Sequence, residues 1–211
     1  MGREPRPLHD LRFRRLLGER AWAKLPAAVR VRFSTRLAAG DSKVYRGRLV
    51  ETRLSPLGWG LAHLLRIIGA PLPLDTDTSG AAAVVTVTED EGGAGQFWTR
   101  QYNRRRSFPQ VIHSRKTFAG PTGLMEEVGG GVLMLVDLAV RQNRLCFIST
   151  GYRLRLLGAE IPLPAFLTPG QMRIEHEDLG HGRFAFDLTV THPVFGELCH
   201  QRAEFRDTPT H

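Results

Sequence analysis

The run Phe97-Trp98-Thr99-Arg100-Gln101-Tyr102 carries more chemistry than any other stretch of the chain. Read as an extended strand, its side chains alternate between two faces, which sets Trp98, Arg100 and Tyr102 in one row. Such a row can hold a ligand with an apolar body and an anionic group. The ring faces supply apolar area and attract cations, while the guanidinium presents a planar fork of donors. Facing outward, the same three residues would be a solvated stripe, and the pattern alone leaves both readings open.

Arg100, Arg104, Arg105, Arg115 and Lys116 come onto neighbouring strands if the chain turns back between 105 and 108. The resulting basic patch could meet nucleic acid or anionic lipid. No nucleic-acid motif accompanies it, and Glu126, Glu127 and scattered acids dilute it, so nucleic acid is not expected as a partner. Glu126, Glu127, Glu175 and Glu177 are the acids that fall on extended segments. Facing inward, one of them could act as a general base or hold an Arg as an ion pair; facing outward, it would form a cross-strand surface pair.

The histidines show no HxH or HExxH spacing, and Cys146 and Cys199 form no CxxC, so neither a metal, a cofactor nor a disulfide framework is expected. No nucleophile elbow or phosphate loop occurs, and Gly129-Gly130-Gly131 joins two strands rather than a strand to a helix. No catalytic residue is assigned, and the expectation leans away from an enzyme.

The elements that must position these residues change character along the chain. A short helix over 8–17 ends at Gly18, and a second opens at Pro26 and runs toward Phe33. Residues 56–69 read as a helix that is apolar nearly all round, with Leu57, Trp59, Leu61, Leu64, Leu65, Ile67 and Ile68. At ~1.5 Å per residue it spans only ~21 Å, too short for a ~30 Å hydrocarbon core. It is therefore expected to be buried on several sides, with Trp59 as a ligand-lining candidate.

Segments 44–53, 81–89, 96–104, 108–118, 124–128, 132–141, 145–156, 172–177, 184–190 and 198–205 have strand character, and short Gly-rich connections favour hairpins. About ten strands is where a twisted open sheet must curl. The expected class is therefore α+β, mainly β: a curved antiparallel meander or incomplete barrel preceded by two or three short helices. Residues 132–136 are apolar on both faces, as befits a central strand covered on one side by the early helices and on the other by sheet or ligand.

With 211 residues, 42% hydrophobic and 24% charged, one domain over 1–211 is expected. Its helix-containing part is 8–74, its sheet 80–205, and its ends, 1–7 and 206–211, are loose. The net charge of +8 rests on Arg, with Lys only at 24, 43 and 116. That bias suits phosphate or carboxylate recognition, or reflects nothing more than a GC-rich coding sequence. The opening residues lack the apolar core of a signal peptide and no span is long enough for a bilayer, which points to the cytoplasm.

In order along the chain, Trp98-Thr99-Arg100, Ser114, Glu127-x-Gly129, Leu157-Gly158 followed by Ile161-Pro162-Leu163-Pro164, Glu175, Phe184-x-Phe186-Asp187 and Pro193-x-x-Gly196 resemble the bacterial domain of unknown function 4166 family. The opening Leu17-Gly18 to Leu25-Pro26 segment is similar as well. The resemblance implies site positions at Trp98, Arg100, Glu127 and Glu175 but no established activity. It also implies a stand-alone member of a family whose relatives follow a saccharopine-dehydrogenase-like domain, and hence a separate reductase as a candidate partner.

The leading functional expectation is a binding module for a lipid-like or apolar small molecule on the concave sheet face, with Trp98, Arg100, Tyr102, Glu127, Glu175 and Trp59 as ligand-binding candidates. The alternatives are an interaction domain docking onto a dehydrogenase or reductase through the apolar helix, and an enzyme using Arg100 with Glu127 or Glu175.

Overall fold

Period-two patterning from residue 80 onward places the same face of each strand against a common interior, and antiparallel hairpins carry that face around in a circle. The computed structural model describes residues 8–207 except 70 and 106. Residues 1–7 and 208–211 lie outside the described residues; of the loose tail expected over 206–211, Arg206 instead ends a strand and Asp207 pairs with Arg32.

The strands are β1 (Leu8–His9), β2 (Thr35–Arg36), β3 (Ser42–Leu54), β4 (Ala82–Glu89), β5 (Gly95–Tyr102), β6 (Gln110–Thr117), β7 (Met125–Gly129), β8 (Val132–Arg141), β9 (Arg144–Leu156), β10 (Ala159–Pro162), β11 (Gln171–Gly180), β12 (Arg183–His192) and β13 (Gly196–Arg206). The helices are α1 (Arg12–Leu17), α2 (Glu19–Trp22), α3 (Ala27–Ser34) and α4 (Pro56–Leu64), with 3-10 turns at Leu65–Ile68 and Ala165–Leu167.

Every strand pairing is antiparallel, in the order β9-β11-β12-β13-β3-β4-β5-β6-β7-β8, and β8 then pairs with β9. The curved sheet expected from the sequence thus closes into a ten-stranded barrel. Strand β10 extends the wall as a hairpin on the end of β9. Closure gives each of the ten barrel strands a neighbour on both sides, which limits the usual route to edge-to-edge aggregation.

The first three helices plug one end. Phe13, Trp22, Leu25, Val29 and Phe33 pack against Leu124, Met134, Val136, Leu145 and Phe147 of the barrel. Gly18 ends α1 with φ +75°, a left-handed value that glycine adopts without strain. The plug is also held by charge: buried Asp10 and Glu89 both bind Arg12, and Arg36 joins Glu89. At the far side of the plug Arg32 pairs with Asp207, immediately after β13.

The other end is roofed by α4 and the segment after it. Ser55 caps α4 by accepting a hydrogen bond from the Gly58 amide, and Pro56 opens the first turn. Gly58 sits so close to β13 that a Cβ there would lie 1.8 Å from the Leu198 carbonyl oxygen. The roof is clamped from below by buried Gln110 of β6, which donates to the Leu72 carbonyl and accepts from the Leu74 amide.

The expectation that the apolar helix is buried on several sides is corrected here. Only Gly58 and Ala62 of α4 are buried, whereas Leu57, Trp59 (54%) and Leu64 on the helix and Ile67 (83%) just after it are exposed. The reason is closure: β13 meets β3, so the barrel wall covers its own interior, and α4 contributes one narrow stripe to β13. Gly58→Ala is expected to lower unfolding stability by about 1–3 kcal/mol, the usual cost of overpacking. Gly60→Ala, where a Cβ meets nothing, should be neutral or stabilising, and urea unfolding of the two variants distinguishes them.

Candidate functional site

Inside the barrel, between plug and roof, lies a cavity of ≈ 180 Å³. Since roughly 10–15 Å³ suffices to admit one water, whose share of the liquid is about 30 Å³, the cavity has room for several waters or a small organic molecule. Its wall is built from the inward face of nearly every strand: Trp98, Arg100 and Tyr102 from β5, Ile112, Ser114 and Lys116 from β6, Glu126 from β7, Met134 from β8, Phe147 and Tyr152 from β9, and Phe186, Leu188 and Val190 from β12. Leu65, Ile68 and residues 71–73 close it on one side of the roof, and Leu163 and residues 167–169 on the other.

One wall is charged. Lys116 and Glu126 are direct cross-strand partners on β6 and β7, 3% and 2% exposed, with Nζ 2.5 Å from Oε2. Arg100 donates from Nη2 to Glu126 Oε1 at 3.3 Å and from Nη1 to Ser114 Oγ at 3.0 Å. The Lys116 ammonium lies 4.8 Å from the centre of the Trp98 ring.

Burial, working against Glu126 and assisted by the like charge of Arg100, pulls Lys116 down to about 8. Burial would raise Glu126, but Lys116 and Arg100 overcome it and bring the carboxyl down to about 2. At neutral pH the cluster therefore holds two cations and one anion.

Toward the plug, a second buried group lies behind the cavity-lining Phe186 and does not itself line the cavity. His176 is fully buried between Phe33, Phe184 and Phe186. Its Nε2 lies 3.3 Å from Arg32 Nη1, so Nε2 accepts, and the proton belongs on Nδ1, which has no partner among the described residues. Burial first, then Arg32, pushes this imidazole down to about 3.

Of the residues singled out from the sequence, Trp98, Arg100 and Tyr102 come together on the cavity wall. Glu127, Glu175 and Trp59 do not line it. Glu127 faces outward to Arg155, Glu175 faces outward to Arg144 and Arg173, and Trp59 packs at a tilt against His63 on the outer side of the roof. Arg100 meets neither Glu127 nor Glu175; its carboxylate is Glu126. A one-residue change of parity moves a strand side chain to the opposite face, and Glu126-Glu127 offers a carboxylate to both faces.

In the sequence Lys116 reads as part of a basic patch and Ser114 stands out through the family resemblance, and neither is assigned to the interior. The signal that could have found Lys116 is its parity with Ile112 and Ser114, and the scarcity of Lys elsewhere in the chain. The expected basic patch does not form, because Arg100 and Lys116 point inward while Arg104, Arg105 and Arg115 are bound by Asp75, Asp77 and Asp90.

Among the described residues no group of His, Cys, Asp and Glu could hold a metal ion, and no helix is long and apolar enough to cross a membrane. Cys146 and Cys199 are buried free thiols.

Fold and interior together define a closed antiparallel β-barrel with an apolar internal cavity and a buried charge cluster in its wall. Residues 25–205 match the family described as "Domain of unknown function (DUF4166)", and the chain belongs to that family. No curated protein and no solved structure matches the chain.

The buried imidazole makes folding sensitive to acid in a defined window. The unfolded histidine binds a proton below its ordinary value of 6.5, while in the fold it stays neutral until about pH 3, so the associated stability is complete above 6.5 and is lost as pH falls toward 3. Between pH 7 and 5, above the carboxylate range, the loss should be about 2 kcal/mol. Denaturant unfolding at the two pH values should show it in the wild type and not in His176→Phe.

Proposed function

We propose that the protein is a binding module for an apolar small molecule held inside the barrel. The observation that carries this reading is an interior that its own side chains leave unfilled although nearly all of its lining is apolar. Wall atoms facing an empty space forfeit the dispersion contacts a packed core would have, and an apolar occupant restores them. A concave, mostly apolar site with a few convergent polar groups is the usual form of a small-molecule site. The buried thiols suit a reducing compartment and support a cytoplasmic setting.

A neutral solvatochromic dye should bind with a blue-shifted emission, and medium-chain fatty acids should displace it. Leu188→Trp and Val132→Trp, at partly buried lining positions, should fill the space and weaken dye binding by at least about tenfold, a loss of ~1.4 kcal/mol. Trp59→Glu, on the outer side of the roof, serves as a surface control. A folded protein that fails to bind the dye, or filled variants that bind it as well as the wild type, would exclude the reading.

A second reading rests on a different observation, the exposed apolar face of the roof formed by Leu57, Trp59, Leu64 and Ile67. That surface suits docking onto a separate protein, with a reductase as the candidate raised by the family resemblance. Cross-linking with such a reductase should be lost in Leu64→Asp if the roof is the contact, and its persistence there would place the contact elsewhere.

A further inference from the structure

We infer that the cavity takes a ligand bearing one carboxylate, with the anionic group seated deep in the barrel against Arg100 and Lys116 and the apolar body extending toward the roof. This deepens the binding reading above and rests on it.

The charge count of the wall carries the inference. Arg100 and Lys116 are cations and Glu126 is the only acid lining the cavity among the described residues, so the cluster holds one positive charge in excess. Of the other titratable lining residues, Tyr102 and Tyr152 are both pushed up by burial and stay neutral, and the exposed His113 meets Thr99 on the outer side of the wall. Glu89, the next acid along that wall, lies beyond Gln96 and is occupied by Arg12 and Arg36.

The Trp98 and Phe147 rings approach the Lys116 ammonium to 4.8 and 5.6 Å and offset part of its lost hydration, but neither supplies a counter-charge. An uncompensated buried charge is costly to maintain, and an anion entering the cavity removes that cost while gaining charge-assisted hydrogen bonds. Arg100 has the geometry for it, since its side chain keeps 17% of its surface open and lines the cavity.

Depth sets the ligand's shape. On β6, Gln110 holds the roof and Lys116 lies six positions further along, about 20 Å at ~3.3 Å per residue. Ile112, Met134, Phe186 and Leu188 line the space with apolar surface. An excess of one charge fits a monoanion. A phosphate monoester, close to a dianion at neutral pH, would leave a net negative charge in the same apolar surroundings.

The experiment compares dodecanoate, dodecanol and dodecyl phosphate as competitors of the neutral dye, on the wild type, Arg100→Met and Lys116→Met. Each substitution leaves a one-to-one ion pair with Glu126, so both variants should fold. On the wild type at pH 7, dodecanoate should bind about tenfold or more tighter than dodecanol, as expected of charge-assisted hydrogen bonds. It should also bind tighter than dodecyl phosphate. The preference over dodecanol should shrink as pH rises well past 8, where Lys116 loses its proton. In both variants it should collapse while dodecanol binding is kept.

Dodecanol binding with no carboxylate preference, a preference for dodecyl phosphate, or variants that lose all three ligands equally would overturn the inference and leave the cavity reading standing. If none of the three binds the wild type and the dye does not either, the cavity reading itself falls and this one with it.

Discussion

The number of strands that close the barrel is the constraint on which the rest depends. Eight antiparallel strands enclose an interior that side chains can fill; each added strand widens it roughly in proportion. Here a run of ten consecutively paired strands closes where the last, β13, meets the first, β3, and side chains of ordinary size from opposite walls no longer meet everywhere. The barrel must then be stoppered at its ends, and whatever volume the stoppers do not occupy becomes a cavity. Helices α1 to α3 form one stopper and α4 with its following turn forms the other.

The two stoppers differ in kind. The plug carries large rings into the barrel and ties them down with two buried acids shared between two arginines, a balanced arrangement in which each charge is paired. The roof sends in little. Its contact with the barrel is made where glycines allow backbones to touch, at Gly58 on Leu198 and at Gly129 beneath Ile68. A roof resting on such contacts, on one glutamine clamp and on the buried Ala62, Leu72 and Leu74 leaves Leu57, Trp59, Leu64 and Ile67 outside, which gives this end of the molecule an exposed apolar surface close to the cavity.

Charge is distributed to match. Outside the barrel the arginines are mostly neutralised by neighbouring acids, as Asp75, Asp77, Asp90, Glu175 and Glu177 show. Such exposed pairs contribute little to stability. Inside, Lys116, Arg100 and Glu126 are desolvated, so the same types of charge interact strongly and an imbalance of one matters. His176 takes the opposite course: next to Arg32 and surrounded by rings, it is kept neutral.

The ten barrel strands, their antiparallel order and the leading helices α1 and α3 were legible in the sequence, whereas α2 and the β1–β2 pair, which takes residues 8–9 out of the expected first helix, were not. Side-chain alternation and turn glycines are local properties that a strand keeps whatever surrounds it. The row Trp98, Arg100, Tyr102 was legible for the same reason, since parity alone puts the three on one face. Which face is the inside is not local. It follows from closure, and only the folded barrel decided that Arg100 and Lys116 point inward while Arg115, one residue away from Lys116, points out. Closure likewise chose Glu126 over Glu127 and left Trp59 on the surface, because both choices depend on how distant strands come into register, a matter no single segment determines.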